Sequence, residues 1–106
     1  MFDVRANVNK EMKPLMDPKL EKNKVTCLFL TDDGKYLLSG YKKGTLALWD
    51  MVNYAILRII DDVHVTEVTQ AKIFNVTEDD TIQIISCEDS GKVWCVDVKK
   101  GKFFGV

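Results

Sequence analysis

The chain has 106 residues, the size of one ordinary domain. An apolar fraction of 46% and a charged fraction of 29% belong to a globular protein and exclude a disordered one. The net charge of −1 removes any bulk electrostatic argument for nucleic acid or an anionic membrane as partner.

Residues 1–24 open on Met1-Phe2-Asp3, which reads as the end of a strand whose beginning is missing. The segment EMKPLM reads as the next strand. Pro14 makes it an edge or bent strand, because proline donates nothing to a ladder. DPKLEKNK follows as a polar connector, so residues 1–24 form the tail of a preceding unit and a linker. Asp3 and Arg5 stand where a signal peptide needs its apolar core. The longest apolar runs break early, as at Arg58 in YAILRII, far short of the roughly 20 residues a spanning helix needs. These features predict a cytoplasmic protein.

From residue 25 the pattern changes to short β-rich runs separated by turn residues. KVTCLFL is followed by TDDG, the composition of a tight hairpin turn in which Gly34 supplies the positive φ. KYLLSG forms the second strand, YKKG a second turn closed by Gly44, and TLALW the third strand. Turn residues around Val52 and Asn53 lead into YAILRII, the fourth. Residues 25–60 thus form one four-stranded unit, 61–67 a loop, and 68–106 a second unit with strands at QAKIFNV, TIQIIS, KVWCVD and KFFGV. No apolar stripe of helical period extends beyond one turn.

The two units are copies. Asp3, Asp50 and Asp97 lie at one interval of 47 residues. With Asp50 set on Asp97, Gly44 falls on Gly91, Leu46 and Leu48 on Val93 and Cys95, and Ser39 on Ser86. The match holds back to the turn where TDDGKY meets TEDDTI, and there the second copy has one extra residue. That insertion leaves open whether Ile73 or Phe74 faces the core. A repeat of this length signals a solenoid, propeller or array. Four-stranded antiparallel units repeated radially are propeller blades. The predicted fold is therefore all-β: about two four-stranded antiparallel blades of a WD-repeat-like β-propeller, an incomplete ring. A closed ring takes at least four blades, or about 190 residues, so the chain reads as a piece of a larger propeller.

The ending Trp49-Asp50 resembles the WD-repeat signature, and the resemblance extends over residues 25–106. LLSGYKKGTLALWD is the stronger copy; in IISCEDSGKVWCVD, Val96 replaces the tryptophan. In WD repeats a Ser or Thr, a turn Asp, the Trp and an inter-blade His form a hydrogen-bonded set. The resemblance assigns structural roles to Ser39, Gly44, Trp49, Asp50, His64, Ser86, Gly91 and Asp97. Lys43 stands in the Asp place of the first blade. Ser90 stands there in the second, with Asp89 one residue early. The set is incomplete, and apolar packing is expected to hold the blades. Trp94, which aligns with Ala47, is expected as an inter-blade wedge opposite Val93 and Cys95.

A narrower likeness follows from three motifs: Gly40 to Gly44 before Trp-Asp, Asp62-Val63-His64 after the fourth strand, and the turn Cys87, Asp89, Ser90, Gly91. In that order they resemble the N-terminal propeller of the vacuolar protein sorting-associated protein 8 family, subunits of the CORVET endosomal tethering complex. Lys92 departs from the second glycine usual in that family, and the family's long helical region and C-terminal zinc-binding segment are absent from the sequence. The resemblance implies tethering-complex subunits and a Rab-type small GTPase as partners, and a peripheral place on endosomes.

The residues alone, apart from that likeness, fit a generic WD-repeat scaffold of an unrelated cytosolic complex. As a binding module the chain would present its charged turns to protein partners: Lys42, Lys43, Asp61, Asp62, Glu88 and Asp89. Enzymatic chemistry finds little support. His64 is the sole histidine, no Gly-x-Ser-x-Gly or phosphate-cradling loop occurs, and paired carboxylates lie only at solvated turns. No catalytic residue, metal, cofactor or small-molecule substrate is predicted. Lys10, Lys13, Lys19, Lys22, Lys24, Lys99, Lys100 and Lys102 form no basic amphipathic helix, so direct membrane insertion is not predicted either. Cys27, Cys87 and Cys95 are odd in number and lack C-x-x-C spacing, and each lies on a predicted strand; buried, reduced, inert thiols are expected.

Overall fold

In a computed structural model, which describes Leu20 and residues 22–99, seven strands follow one another. They are β1 (Val25–Leu30), β2 (Tyr36–Tyr41), β3 (Leu46–Asp50), β4 (Ala55–Ile60), β5 (Val68–Val76), β6 (Thr81–Glu88) and β7 (Val93–Lys99). They form two antiparallel sheets, β1-β2-β3-β4 and β5-β6-β7. The expected strand end at Asp3, the edge strand at EMKPLM and the fourth strand at KFFGV lie outside the described residues.

Local chemistry sets the hairpins. In the β1–β2 turn the Thr31 hydroxyl donates to Asp33 Oδ1 (2.7 Å) and the Lys35 amide to the same oxygen (3.0 Å). Gly34 closes the turn at φ 73°, its amide donating to Thr31 O (2.9 Å). The second copy repeats this with Thr77 and Asp79, and Asp80 takes the left-handed position at φ 65°. Asp tolerates that region better than most residues. The extra residue of the second copy does not lengthen this turn. From the equivalent pairs Leu30–Leu37 and Ile73–Ile84 the second hairpin runs longer: it adds the pairs Asn75–Gln83 and Val76–Ile82, and a bulge in β5 skips Phe74. The bulge answers the register question, for Ile73 is buried while Phe74 is 52% exposed.

The two sheets stack through an apolar core of Leu38, Leu46, Leu48, Ile73, Ile82, Ile84 and Val98, with Tyr36, Ile60 and Val68. Side chains two apart on a strand share a face. Ser86 therefore lies on the core-facing side of β6, with Ile82 and Ile84. Ser39 lies on the other side of β2, where Tyr41, Ala47 and Trp49 build a second cluster with Leu20. Both blades thus carry the serine on the same face, and the second lays that face on the first. This is the repeated stacking sense of an open, incomplete ring.

Close approach at the junction requires a glycine. A Cβ on Gly40 would sit 2.6 Å from Cys27 Sγ and 2.7 Å from Val68 Cγ1. Gly40→Ala is therefore expected to destabilise the chain by about 1–3 kcal/mol through overpacking. Denaturant unfolding reads this as a lower midpoint at unchanged slope; an unmoved midpoint contradicts it.

The cysteines depart from expectation. All three are free thiols, but Cys27 and Cys87 are only half-buried and Cys95 is exposed. Cys87 and Cys95 point away from the core, on the side of β6 and β7 that faces away from the first sheet. Trp94 lies on the other side, with Ser86, opposite Val93 and Cys95. It borders a groove with Ile59 and Ile60 and keeps 40% of its surface exposed. The Lys92 ammonium sits 5.4 Å from its ring centre.

Candidate functional site

Loops at one end of the two blades converge, and buried polar networks hold them there. The second blade carries the more complete network. The alternation of β6 sends Ser86 and Glu88 to one face, two residues apart. The loop after β4 brings His64 between them. His64 Nδ1 lies 2.7 Å from Glu88 Oε1, and Nε2 lies 2.7 Å from Ser86 Oγ. The other carboxylate oxygen accepts from the Ser90 hydroxyl (2.7 Å) and the Thr66 hydroxyl (2.9 Å). Hydrogen bonds from Ser90, then from His64 and Thr66, hold the Glu88 carboxyl down at about 2 against the opposing push of burial. An ionised carboxylate only accepts, so Nδ1 carries a proton; in the neutral ring Nε2 accepts from the Ser86 hydroxyl.

The order hydroxyl, imidazole, carboxylate is that of a hydrolase triad. Burial gives it a different use. Ser86 is 2%, His64 3% and Glu88 2% exposed, so no substrate reaches the hydroxyl. The set clamps loop 61–67 to the end of β6, helped by the Asp89 amide donating to Glu67 O (2.8 Å).

The first blade holds a shorter chain. Trp49 Nε1 donates to Ser39 Oγ (3.0 Å), and that hydroxyl meets the Tyr41 phenol at 3.1 Å and Ala47 O at 3.4 Å. Burial pushes the Tyr41 phenol up. Lys43, in the expected Asp place, points its side chain to solvent, and its amide donates to Asn23 Oδ1 (3.1 Å). Asn23 Nδ2 also donates to Thr45 Oγ1 (3.2 Å), which ties the turn to the chain before β1. Gly44 takes φ 94°, and a Cβ there would lie 2.5 Å from His64 O. The turn at 42–45 and the loop at 61–67 are thus in backbone contact.

Asp50 accepts from the Val52 amide (2.8 Å) and from Asn53 Nδ2 (3.0 Å), and shapes the β3–β4 turn. Asp97 is exposed and meets Gln83 Nε2 across the ladder at 3.4 Å. Gly91 takes φ 99° in the β6–β7 turn.

The structure places Lys42, Lys43, Asp61, Asp62 and Asp89 on the surface at this one end. Glu88 does not belong with them. It is buried beneath Thr66 and Ser90, because His64 and the two hydroxyls offset the loss of water around its charge. Glu88, rather than Ser90 or Asp89, is therefore the residue that meets His64. Sequence reasoning also missed Tyr41, Thr66 and Asn23. One signal was available: Glu88 stands two residues after Ser86, as Tyr41 does after Ser39, so strand alternation puts each on its serine's face.

A search of curated proteins found no match to the chain. A family model described as Vps8 beta-propeller matches residues 1–104. The match covers both blades, and by it and by its fold the chain belongs to the Vps8 β-propeller family.

Proposed function

We propose that the chain is a non-catalytic protein–protein interaction module of an endosomal tethering and vacuolar sorting subunit, and that it docks partners through its converging loops. The family match over residues 1–104 carries this reading. The loop geometry supports it: two rigid sheets present charged tips at 42–43, 61–62 and 89, and the His64–Glu88 clamp fixes the loop between them. Partners of this kind are tethering-complex subunits and a Rab-type GTPase. The place of action is cytoplasmic, peripheral on endosomes; among the described residues no helix is long and apolar enough to cross a membrane.

Exposed charges at a rim act mostly on encounter rate and partner choice. The double substitution Lys42→Glu/Lys43→Glu in the intact protein is expected to weaken binding of an acidic-faced partner about tenfold at low salt. The effect should shrink as ionic strength rises. Surface plasmon resonance against tethering subunits and GTP-loaded Rab proteins measures it. Unchanged affinity for every partner would remove this turn from the docking surface, and binding confined to partners outside the sorting machinery would replace the tethering role with a general scaffold role.

A further inference from the structure

We propose that Lys22, Lys24, Lys42 and Lys43, gathered beside the exposed Val65, form a docking surface for an acidic peptide segment that carries an apolar side chain. The inference rests on the docking reading above and names the chemistry of one occupant. The two lysine pairs are far apart in the sequence, and hydrogen bonds join them. The Lys42 amide donates to Lys24 O (2.8 Å), and the Lys43 amide to Asn23 Oδ1 (3.1 Å). The chain before β1 is thereby laid along the turn at 42–45. Lys22 takes φ 63°, a left-handed conformation that glycine adopts more readily. All four lysines are exposed, and among the described residues none of their ammonium groups has a carboxylate partner. Like charges held this close repel one another, and a bound anion relieves the repulsion.

Val65 supplies the apolar part. A Cβ on Gly44 would stand 2.5 Å from His64 O and 3.0 Å from Thr66 O, so Val65 sits against the same turn. His64 beside it is clamped by Glu88 and Ser86, yet Val65 itself is 81% exposed. An apolar side chain held out on a fixed loop offers contact at little ordering cost. Blades stack through their sheet faces, whereas these residues lie before β1, in the β2–β3 turn and in the β4–β5 loop, at the ends of the sheets. Their exposure therefore does not come from the incomplete ring. The charge pattern selects the occupant. Asp62 and Asp89 are exposed at the same end. A flat anionic membrane pressed on this end would meet those carboxylates along with the lysines. A narrow acidic polypeptide can follow the lysines and leave the carboxylates in water.

The intact chain is titrated into a fluorescein-labelled, glutamate-rich peptide with one central leucine, and fluorescence anisotropy reads the affinity at low salt. Lys22→Glu/Lys24→Glu is expected to weaken binding about tenfold, with the gap closing as ionic strength rises. The same change of net charge placed elsewhere, in Lys35→Glu/Lys72→Glu, should leave the affinity nearly unchanged. Serine in place of the peptide's leucine should cost about fivefold with the natural chain and nothing with Val65→Ser. The replaced side chains are exposed, so the packing is left alone, and circular dichroism checks the fold. Equal losses in the two double variants would reduce the effect to net charge and overturn the site. So would affinity unchanged in Lys22→Glu/Lys24→Glu, or lysine-dependent retention on phosphatidylserine vesicles by a chain that ignores the peptide. Peptide binding with the expected pattern, while tethering subunits fail to bind, would uphold the site and discard only the sorting role.

Discussion

Glu88→Ala is expected to lower the melting temperature by about 10 °C or more, because it strands buried His64 without its acceptor and releases the half-buried Thr66 and the exposed Ser90 from the end of β6. A surface carboxylate at a hairpin tip would cost almost nothing, so the size of the effect separates the two roles. Glu88→Gln keeps the shape and one acceptor oxygen, and should cost much less. The pH profile gives a second test. The Glu88 carboxyl titrates at about 2 when folded, against an ordinary 4.5. A depressed carboxyl contributes stability that is fully present above the unfolded value and is lost as the pH falls through the folded one. Stability should therefore decline from about pH 5 towards pH 2, and in Glu88→Gln that part of the slope should flatten. An equal acid slope in both proteins would assign the acid sensitivity to other carboxylates. Asp79, held well below the usual carboxylate range by Thr77, Lys99 and Thr81, is the first alternative.

Trp49→Ala is expected to destabilise the first blade by about 3–5 kcal/mol, the cost of emptying a buried aromatic site. That is a large fraction of the stability of a small domain. Most of the loss is packing against Tyr41, Ala47 and Leu20. The indole hydrogen bond to Ser39 is the smaller part. Trp49→Phe retains an aromatic ring and removes the donor, which leaves a net cost near 1 kcal/mol for the bond itself. A double-mutant cycle with Ser39→Ala measures the coupling directly. Coupling near zero, together with a small effect of Trp49→Ala, would show that the tryptophan signature is decorative in this blade.

The two blades divide one motif between them. The first keeps the tryptophan and serine and places a phenol, Tyr41, where the second places the Glu88 carboxylate. The second keeps the histidine and serine and fills the tryptophan place with Val96. Each half-network satisfies its buried polar atoms; no buried side-chain nitrogen or oxygen among the described residues lacks a partner. Divergence from the repeat pattern therefore need not leave a defect, provided the replacement presents an acceptor on the same face.

The sequence by itself determined the seven described strands, the turns between them and the stacking of two antiparallel sheets. Those properties are local or periodic: Gly34 and Gly44 where a turn needs positive φ, alternation along β2 and β6, and an interval of 47 residues between equivalent aspartates. Only the tertiary structure decided which acid meets His64, where β5 bulges, and which thiols are open to solvent. His64 and Glu88 are 24 residues apart and meet because a loop crosses a sheet end, a distance no repeat register encodes. A bulge in β5 leaves Phe74 outside the ladder and keeps Ile73 opposite Ile84 in the core. Cys87 and Cys95 carry the same side chain and strand context as Cys27, but only packing between sheets separates a covered face from an open one.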